Sequence, residues 1–446
     1  MTPRARSIFV VAALASVAQA YFLMGSDFLL ESERIDPIVN QDEVSPHAHR
    51  VLGGSNFGMN TNTSYLRESE CTSVPIDEDK SAYWTANLWF HWANGSMSSV
   101  SGGNVMCVLT QYLLSFACSE LLLILSSYYL FSDESGKTTA FPDGFQMISG
   151  NPSLRTFDEN SVAQKAITYL CLDFDTGETT KTYDFPTTKC KSGFRSQINF
   201  PMCWNGVDTD SEDHQSHVAF APDGPDGGSC TDSEYPVTLP RIFMEVYWDT
   251  TPFDDYWDQA ANTSQPFVLS NGDSTGYSYH ADYIYGWDSG VLQNVVDNCH
   301  CDPSGGADCC ANQGLFTLTK DKTCKLTKQV DEDALGTLAA LPGNNAIIGF
   351  AGKVDMSSAS ATPAILAASV VTSGAATATG EVIVPAATGA AASATDAATS
   401  TGNVDLAAST SSAASSTKTC SSMRKRQRSH KRHALRRELS QGSYGL

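Results

Sequence analysis

The runs ITYLCLDF at residues 167–174 and RIFMEVYW at residues 241–248 decide the fold class. Each is of strand length, is rich in aromatic and β-branched side chains, and lacks the i, i+3, i+4, i+7 spacing that gives a helix its apolar stripe. Gly, Pro, Asn and Asp punctuate such runs from residue 21 to about residue 352. The pattern predicts one mainly β domain over residues 21–352, a two-sheet, jelly-roll-like β-sandwich with long loops. About 330 residues is ample for a sizeable core. An isolated helix is expected over residues 331–341, DEDALGTLAAL, on composition.

Working outward, residues 1–20 place Arg4 and Arg6 before an apolar run from Ile8 to Val17 and end in Ala18-Gln19-Ala20. This predicts a secretory signal peptide, a mature Tyr21 and an extracellular or cell-wall location. Residues 357–419 are dominated by Ala, Ser and Thr. Such a composition cannot bury a core and reads as a linker of the kind that carries O-linked sugars. Residues 420–446 form a basic, disordered tail that would contact acidic surfaces, and no GPI-type anchor is expected. The formal charge of -21 hides an asymmetry, because the signal peptide and tail leave 18 of the 28 basic residues against 48 of the 49 acidic ones. A body near -30 repels nucleic acid and anionic polymers, so a neutral glycan or a cation is the compatible partner.

Export makes disulfides the default state of the thirteen cysteines, and three sequons, at Asn62, Asn94 and Asn262, fit a glycoprotein. The run CHCDPSGGADCC from Cys299 to Cys310 reads as a disulfide-stapled loop rather than a zinc finger, with Cys324 among the candidate partners. Residues 108–131, VLTQYLLSFACSELLLILSSYYLF, are long and apolar enough for a membrane span and carry one charge, Glu120. A pass here would put most of the histidines on the opposite side from His47. Removing the 21 residues 107–127 joins GNVM to YYLFSDESG, a strand-like sequence, and leaves an even ten cysteines in the domain. Residues 107–127 are therefore expected to be a retained intron, with a buried strand pair or a membrane segment as the alternatives.

Five of the nine histidines fall in three short segments, HAHR (His47, His49), DHQSH (His214, His217) and YHAD (His280). Each has a carboxylate or glycine nearby: Asp36 and Gly53-Gly54, Asp213, and Asp282 with Gly286. Imidazoles gathered this way bind a metal or move protons near neutral pH.

The blocks ERIDPIVNQDEVSPHAHRVLGGSNF, FPMCWNGVDTDSEDHQSHVAF, PVTLPRIFMEVYWDT and GYSYHADYIYGWD, in that order and spacing, resemble a fungal secreted family catalogued as a domain of unknown function, number nineteen ninety-six. The resemblance covers roughly residues 25–302. The family's RxDPI, HxH, CWxG, DHxSH and HxDxxxGW elements fall on Arg34, Asp36 and Pro37; His47 and His49; Cys203, Trp204 and Gly206; Asp213, His214 and His217; and His280, Asp282, Gly286 and Trp287. Two departures stand out: Asn40-Gln41 replaces the Pro-Gly usual before HxH, and residues 107–127 interrupt what looks like a continuous strand in relatives. Some relatives carry WSC wall-binding modules, so the resemblance implies a wall-facing setting. It implies no particular activity.

In HAH the imidazoles lie at i and i+2, so on a strand both face one side and can converge on one ion. With His217 and His280 they form the expected ligand set for a divalent metal ion, and Asp36 or Asp213 would orient an imidazole from behind. His47, His49, Asp213, His214, His217, His280 and Asp282 are the catalytic candidates. A metal-free reading uses a histidine and a carboxylate, from Asp36, Asp213, Glu245, Asp282 or Asp288, as acid and base on a sugar. Trp204, Tyr279 and Trp287 would stack on the pyranose faces. Arg34 reads as an internal ion-pair partner of Asp36. Each histidine also has a structural reading, as a hydrogen-bonded loop anchor or a ring packed among aromatics. The chain has no GxSxG, HExxH or Walker loop, and Tyr21 is not the N-terminal histidine that a copper oxygenase brace needs. Two functions are expected from this: a hydrolase or lyase of extracellular polysaccharide, or a non-catalytic wall or carbohydrate-binding glycoprotein.

Overall fold

The computed structural model describes residues 19–26, 29–103, 125–132, 136–302, 305–319, 322–349, 362–373 and 382–383. The expectations for residues 1–18, for all of 107–127 except its last three residues, for most of 357–419 and for 420–446 lie outside the described residues.

Twelve strands build two large sheets: β1 (Gln19–Ser26), β2 (Glu31–Glu33), β3 (His49–Gly53), β4 (Ala82–Ala86), β5 (Gly102–Gly103), β6 (Leu125–Ser132), β7 (Gln146–Gly150), β8 (Ile167–Leu172), β9 (Thr179–Thr182), β10 (Phe194–Asn199), β11 (Arg241–Trp248) and β12 (His280–Ile284). The first sheet runs β1-β6-β11-β10-β8-β9, with β5 also paired to β11; the second runs β2-β3-β4-β12-β7. Every pairing within them is antiparallel. The mainly β expectation holds, and both runs that decided it are strands.

Alternation explains how the sheets meet. On β11, Ile242, Met244, Val246 and Trp248 point inward, and with Tyr169 and Ile198 they share one core with Leu52, Tyr83, Met147 and Tyr283 of the second sheet. The other face of the second sheet is also covered. Val51, Trp84, Ile148 and Ile284 pack there with Leu30, Ile35, Ile38, Phe57 and Cys324. A sheet buried on both sides needs apolar side chains on both, which is why the five residues of β4, AYWTA, are all buried.

Ten cysteines pair as Cys71–Cys324, Cys171–Cys190, Cys203–Cys230, Cys299–Cys310 and Cys301–Cys309. The 299–310 loop is stapled as expected, whereas Cys324 joins Cys71. The helix expected over residues 331–341 is absent. Gly336 has φ +92°, and Thr337–Leu338 pairs as a strand with Met97 and Ser98, so the backbone hydrogen bonds run sideways. Part of the expected linker also packs on the domain. Ile365 and Val370–Val371 pair alongside residues 325–330, because these apolar residues give the Ala/Ser/Thr sequence a side to bury.

Candidate functional site

The site lies on the outer face of the second sheet. His49 of β3 sits opposite Ala86 of β4, and Trp84 sits opposite both Val51 and Asp282. On β12, His280 faces Gly150 and Asp282 faces Ile148. These pairs share one face by the two-residue period of a strand. Gly150 offers no side chain beside His280, and the three imidazoles pack on one another. Ring centroids of His49 and His280 lie 5.7 Å apart, and His47, two residues before His49, packs 4.3 Å from His49 and 5.1 Å from His280. Gly150 is obligatory for two reasons: its φ is +85°, and a Cβ would meet the Tyr279 carbonyl at 2.4 Å.

Hydrogen bonds fix the rings. His49 Nδ1 bonds the Ile35 carbonyl at 3.0 Å and His280 Nδ1 bonds the Ser278 carbonyl at 2.9 Å, so both Nδ1 atoms carry the proton and both Nε2 atoms present a lone pair. His47 Nε2 lies 3.1 Å from His280 Nε2. The three residues are 4%, 0% and 2% exposed. Burial, with the neighbouring imidazoles and Arg155 and Arg34, holds His47 well below its ordinary pKa; burial and His280 do the same to His49; burial brings His280 down to about 4. All three are neutral near pH 7.

Two carboxylates share the neighbourhood. Burial raises Asp36 to about 6, against hydrogen bonds from the Val39 and Ile38 amides and the charge of His214. Burial, then the charge of Asp36, pushes Asp282 far above the carboxylate range. Four polar atoms on this face are buried with no partner: His47 Nδ1, His49 Nε2, Trp84 Nε1 and Asp282 Oδ2. Each such atom costs about 1–3 kcal/mol, so their concentration marks a place built to hold something. The nearby cations are already matched, Arg155 by Asp273 at 3.6 Å and Arg34 by Glu332. Arg34 is an internal ion-pair residue, but it grips Glu332 rather than the expected Asp36, whose Oδ1 accepts from the Ile38 and Val39 amides.

Of the four expected metal ligands, His47, His49 and His280 come together and His217 does not join them. His217 Nδ1 lies 3.0 Å from Ser211 Oγ and its ring packs on Phe145 at 5.2 Å. His214 has φ +56°, bonds Asp210 at 2.7 Å and is 22% exposed at the Asp36 side of the face. Asp213 is exposed and anchors its own turn; hydrogen bonds from the Ser216 and Gln215 amides and from the Ser216 and Ser211 hydroxyls outweigh its partial burial and hold it below the carboxylate range. Glu245 pairs with Arg195 on the first sheet, and Asp288 pairs with Lys80. The aromatic candidates are core residues. Trp287 is fully buried and donates to Tyr129, Tyr279 is fully buried, and Trp204 is 9% exposed with its Nε1 on the Asp208 carbonyl. A ring without a free face cannot stack on a sugar, so no pyranose platform forms from these three. Sequence reasoning missed Trp84, Ala86 and Arg155, since a strand buried on both faces shows no alternation to say which residues flank a histidine.

Fold and centre define a disulfide-stapled antiparallel β protein with a buried histidine and carboxylate cluster between its second sheet and the segments that cover it. The chain belongs to the family described as Domain of unknown function (DUF1996), whose model matches residues 36–287, from Asp36 of the centre to Trp287 of the core. Comparison with curated proteins and with solved structures finds no match.

Proposed function

We propose that the protein is exported to the cell exterior or wall and acts on neutral extracellular polysaccharide through this centre, as a hydrolase or lyase. The observation that carries the reading is Asp282, a buried carboxyl with an unpartnered Oδ2 that feels the charge of Asp36 and shares a strand face with His280. A carboxyl held protonated near neutral pH is the donor that a departing glycosidic oxygen requires, and a neutral imidazole or the second carboxyl is the matching base. The acidic body favours uncharged glycans as substrate. The His214–Asp210 pair, 22% and 32% exposed, is the partly exposed histidine and carboxylate whose charge reaches Asp36.

Burial favours a second reading, in which the cluster ties the cover to the sheet of a non-catalytic wall glycoprotein. Asp282→Asn and His49→Ala separate the two when release of reducing ends from neutral wall glycans is measured beside thermal unfolding. The enzyme loses at least about 100-fold in turnover in Asp282→Asn with its melting temperature kept. Loss of melting temperature without any wild-type turnover on the glycans would establish the anchor instead.

A further inference from the structure

We propose that His47, His49 and His280 hold one late transition-metal ion, of the zinc, copper or cobalt type. This deepens the reading above by naming the cofactor of the same centre. The ligand atoms of the three residues lie within 4.8 Å of one another, and the closest pair, the Nε2 atoms of His47 and His280, is 3.1 Å apart. Two imidazole nitrogens on a tetrahedral ion with bonds of about 2.0–2.1 Å sit roughly 3.3 Å apart, so this pair already has the spacing of two ligands.

Proton placement argues the same way. With Nδ1–H of His49 and of His280 committed to carbonyls, both Nε2 atoms are acceptors. If His47 carries its proton on Nε2, it donates to His280, and His47 Nδ1 and His49 Nε2 remain bare buried acceptors. If it carries the proton on Nδ1, two lone pairs oppose each other at 3.1 Å and an N–H is left unmet. No neutral arrangement satisfies the cluster. An ion relieves the opposed Nε2 lone pairs with His47 protonated at Nδ1, and the carbonyls behind Nδ1 of His49 and His280 are the usual orienting contacts of metal-bound imidazoles.

The donor set selects the ion. Three imidazole nitrogens suit zinc, copper, nickel or cobalt, whereas calcium and magnesium take oxygen. Charge is compatible: the nearby cations Arg34 and Arg155 have their own carboxylates, Glu332 and Asp273. Asp282 lies two positions along β12 on the same strand face as His280, with its Oδ2 buried and unpartnered. Among the described residues the other close trio of candidate ligands, Cys301, Cys309 and Cys310, is consumed by disulfides.

The test uses the full chain, purified from secretion without a metal-chelate column, and reads metal with no glycan present. Elemental analysis should give about one equivalent of transition metal, and protein stripped with dipicolinate should take up about one Co²⁺ with the visible bands of nitrogen ligation and a higher melting temperature. His280→Ala should weaken Co²⁺ binding at least about 10-fold, while His217→Ala binds as wild type. If His280→Ala does not fold, the wild-type cobalt spectrum and melting shift decide alone. Folded wild type that takes up neither Co²⁺ nor Zn²⁺, or uptake unchanged in folded His280→Ala, overturns the proposal. An inactive but metal-loaded protein would sink the glycan reading and leave the metal site standing; an active, metal-free one would do the reverse.

Discussion

Gly150 is the residue on which the geometry beside His280 turns: it faces His280 across the β7–β12 ladder, and a Cβ there would meet the Tyr279 carbonyl at 2.4 Å and the His280 Cβ at 3.1 Å. Glu33, opposite His49 on β2, shows how charge is managed nearby. Its carboxylate accepts from the Gln329 and Val330 amides, yet burial dominates and raises it to about 7, against those bonds and Lys328. The folded chain therefore holds a proton that the unfolded chain has released. The associated stability is full below about pH 4.5 and is lost as pH rises through about 7. Glu33→Gln keeps an acceptor for both amides. It should match wild type in denaturant unfolding near pH 4 and become more stable toward pH 8; a pH-independent difference would refute this account of Glu33.

At the scale of elements, the register along β11 is informative. Gly102 and Gly103 of β5 face Trp248 and Tyr247, and Leu125 of β6 faces Val246, the next position. Residues 104–124 thus fall between two adjacent rungs of one ladder, and removing those 21 residues would make β5 and β6 a single unbroken strand. Removing 107–127, the expected intron, preserves the same register. A chain lacking residues 104–124 should be secreted, form the same five disulfides and melt within a few degrees of the full chain. Failure to fold, or a transcript that keeps the segment in its main product, would show that the insertion belongs. The strands themselves were legible because RIFMEVYW and ITYLCLDF carry β-branched and aromatic residues in runs too short for a helix. HAH was legible for a similar reason, since i and i+2 must share a face. Arg155 with Asp273 was not, because an ion pair across the fold leaves no local pattern. Nor was the strand at 337–338, where DEDALGTLAAL has helical composition but pairs with Met97 and Ser98 instead. Trp287 and Tyr279 misled because aromatic residues look alike in sequence whether they stack on a ligand or fill a core.

Across the molecule, the centre is roofed by chain from two distant places. Residues 30–47 lie before the second sheet's main strands, and residues 322–345 return to cover them, clamped by Cys71–Cys324 and by Arg34 with Glu332. That disulfide closes a separation of 253 residues, so opening it frees a long loop worth up to about 5 kcal/mol in the unfolded chain. Replacing both cysteines by Ala should lower the melting temperature more than removing Cys171–Cys190, whose separation is 19 residues, and should make the metal exchange faster. Equal melting losses for the two pairs would contradict the clamp. The most direct test of the centre itself is an X-ray absorption spectrum of the purified full chain at the edge of its bound metal. The account predicts a nitrogen shell at about 2.0 Å with the scattering of three imidazoles. Folded protein with no metal signal above buffer, or a shell of oxygen or sulfur, would contradict it.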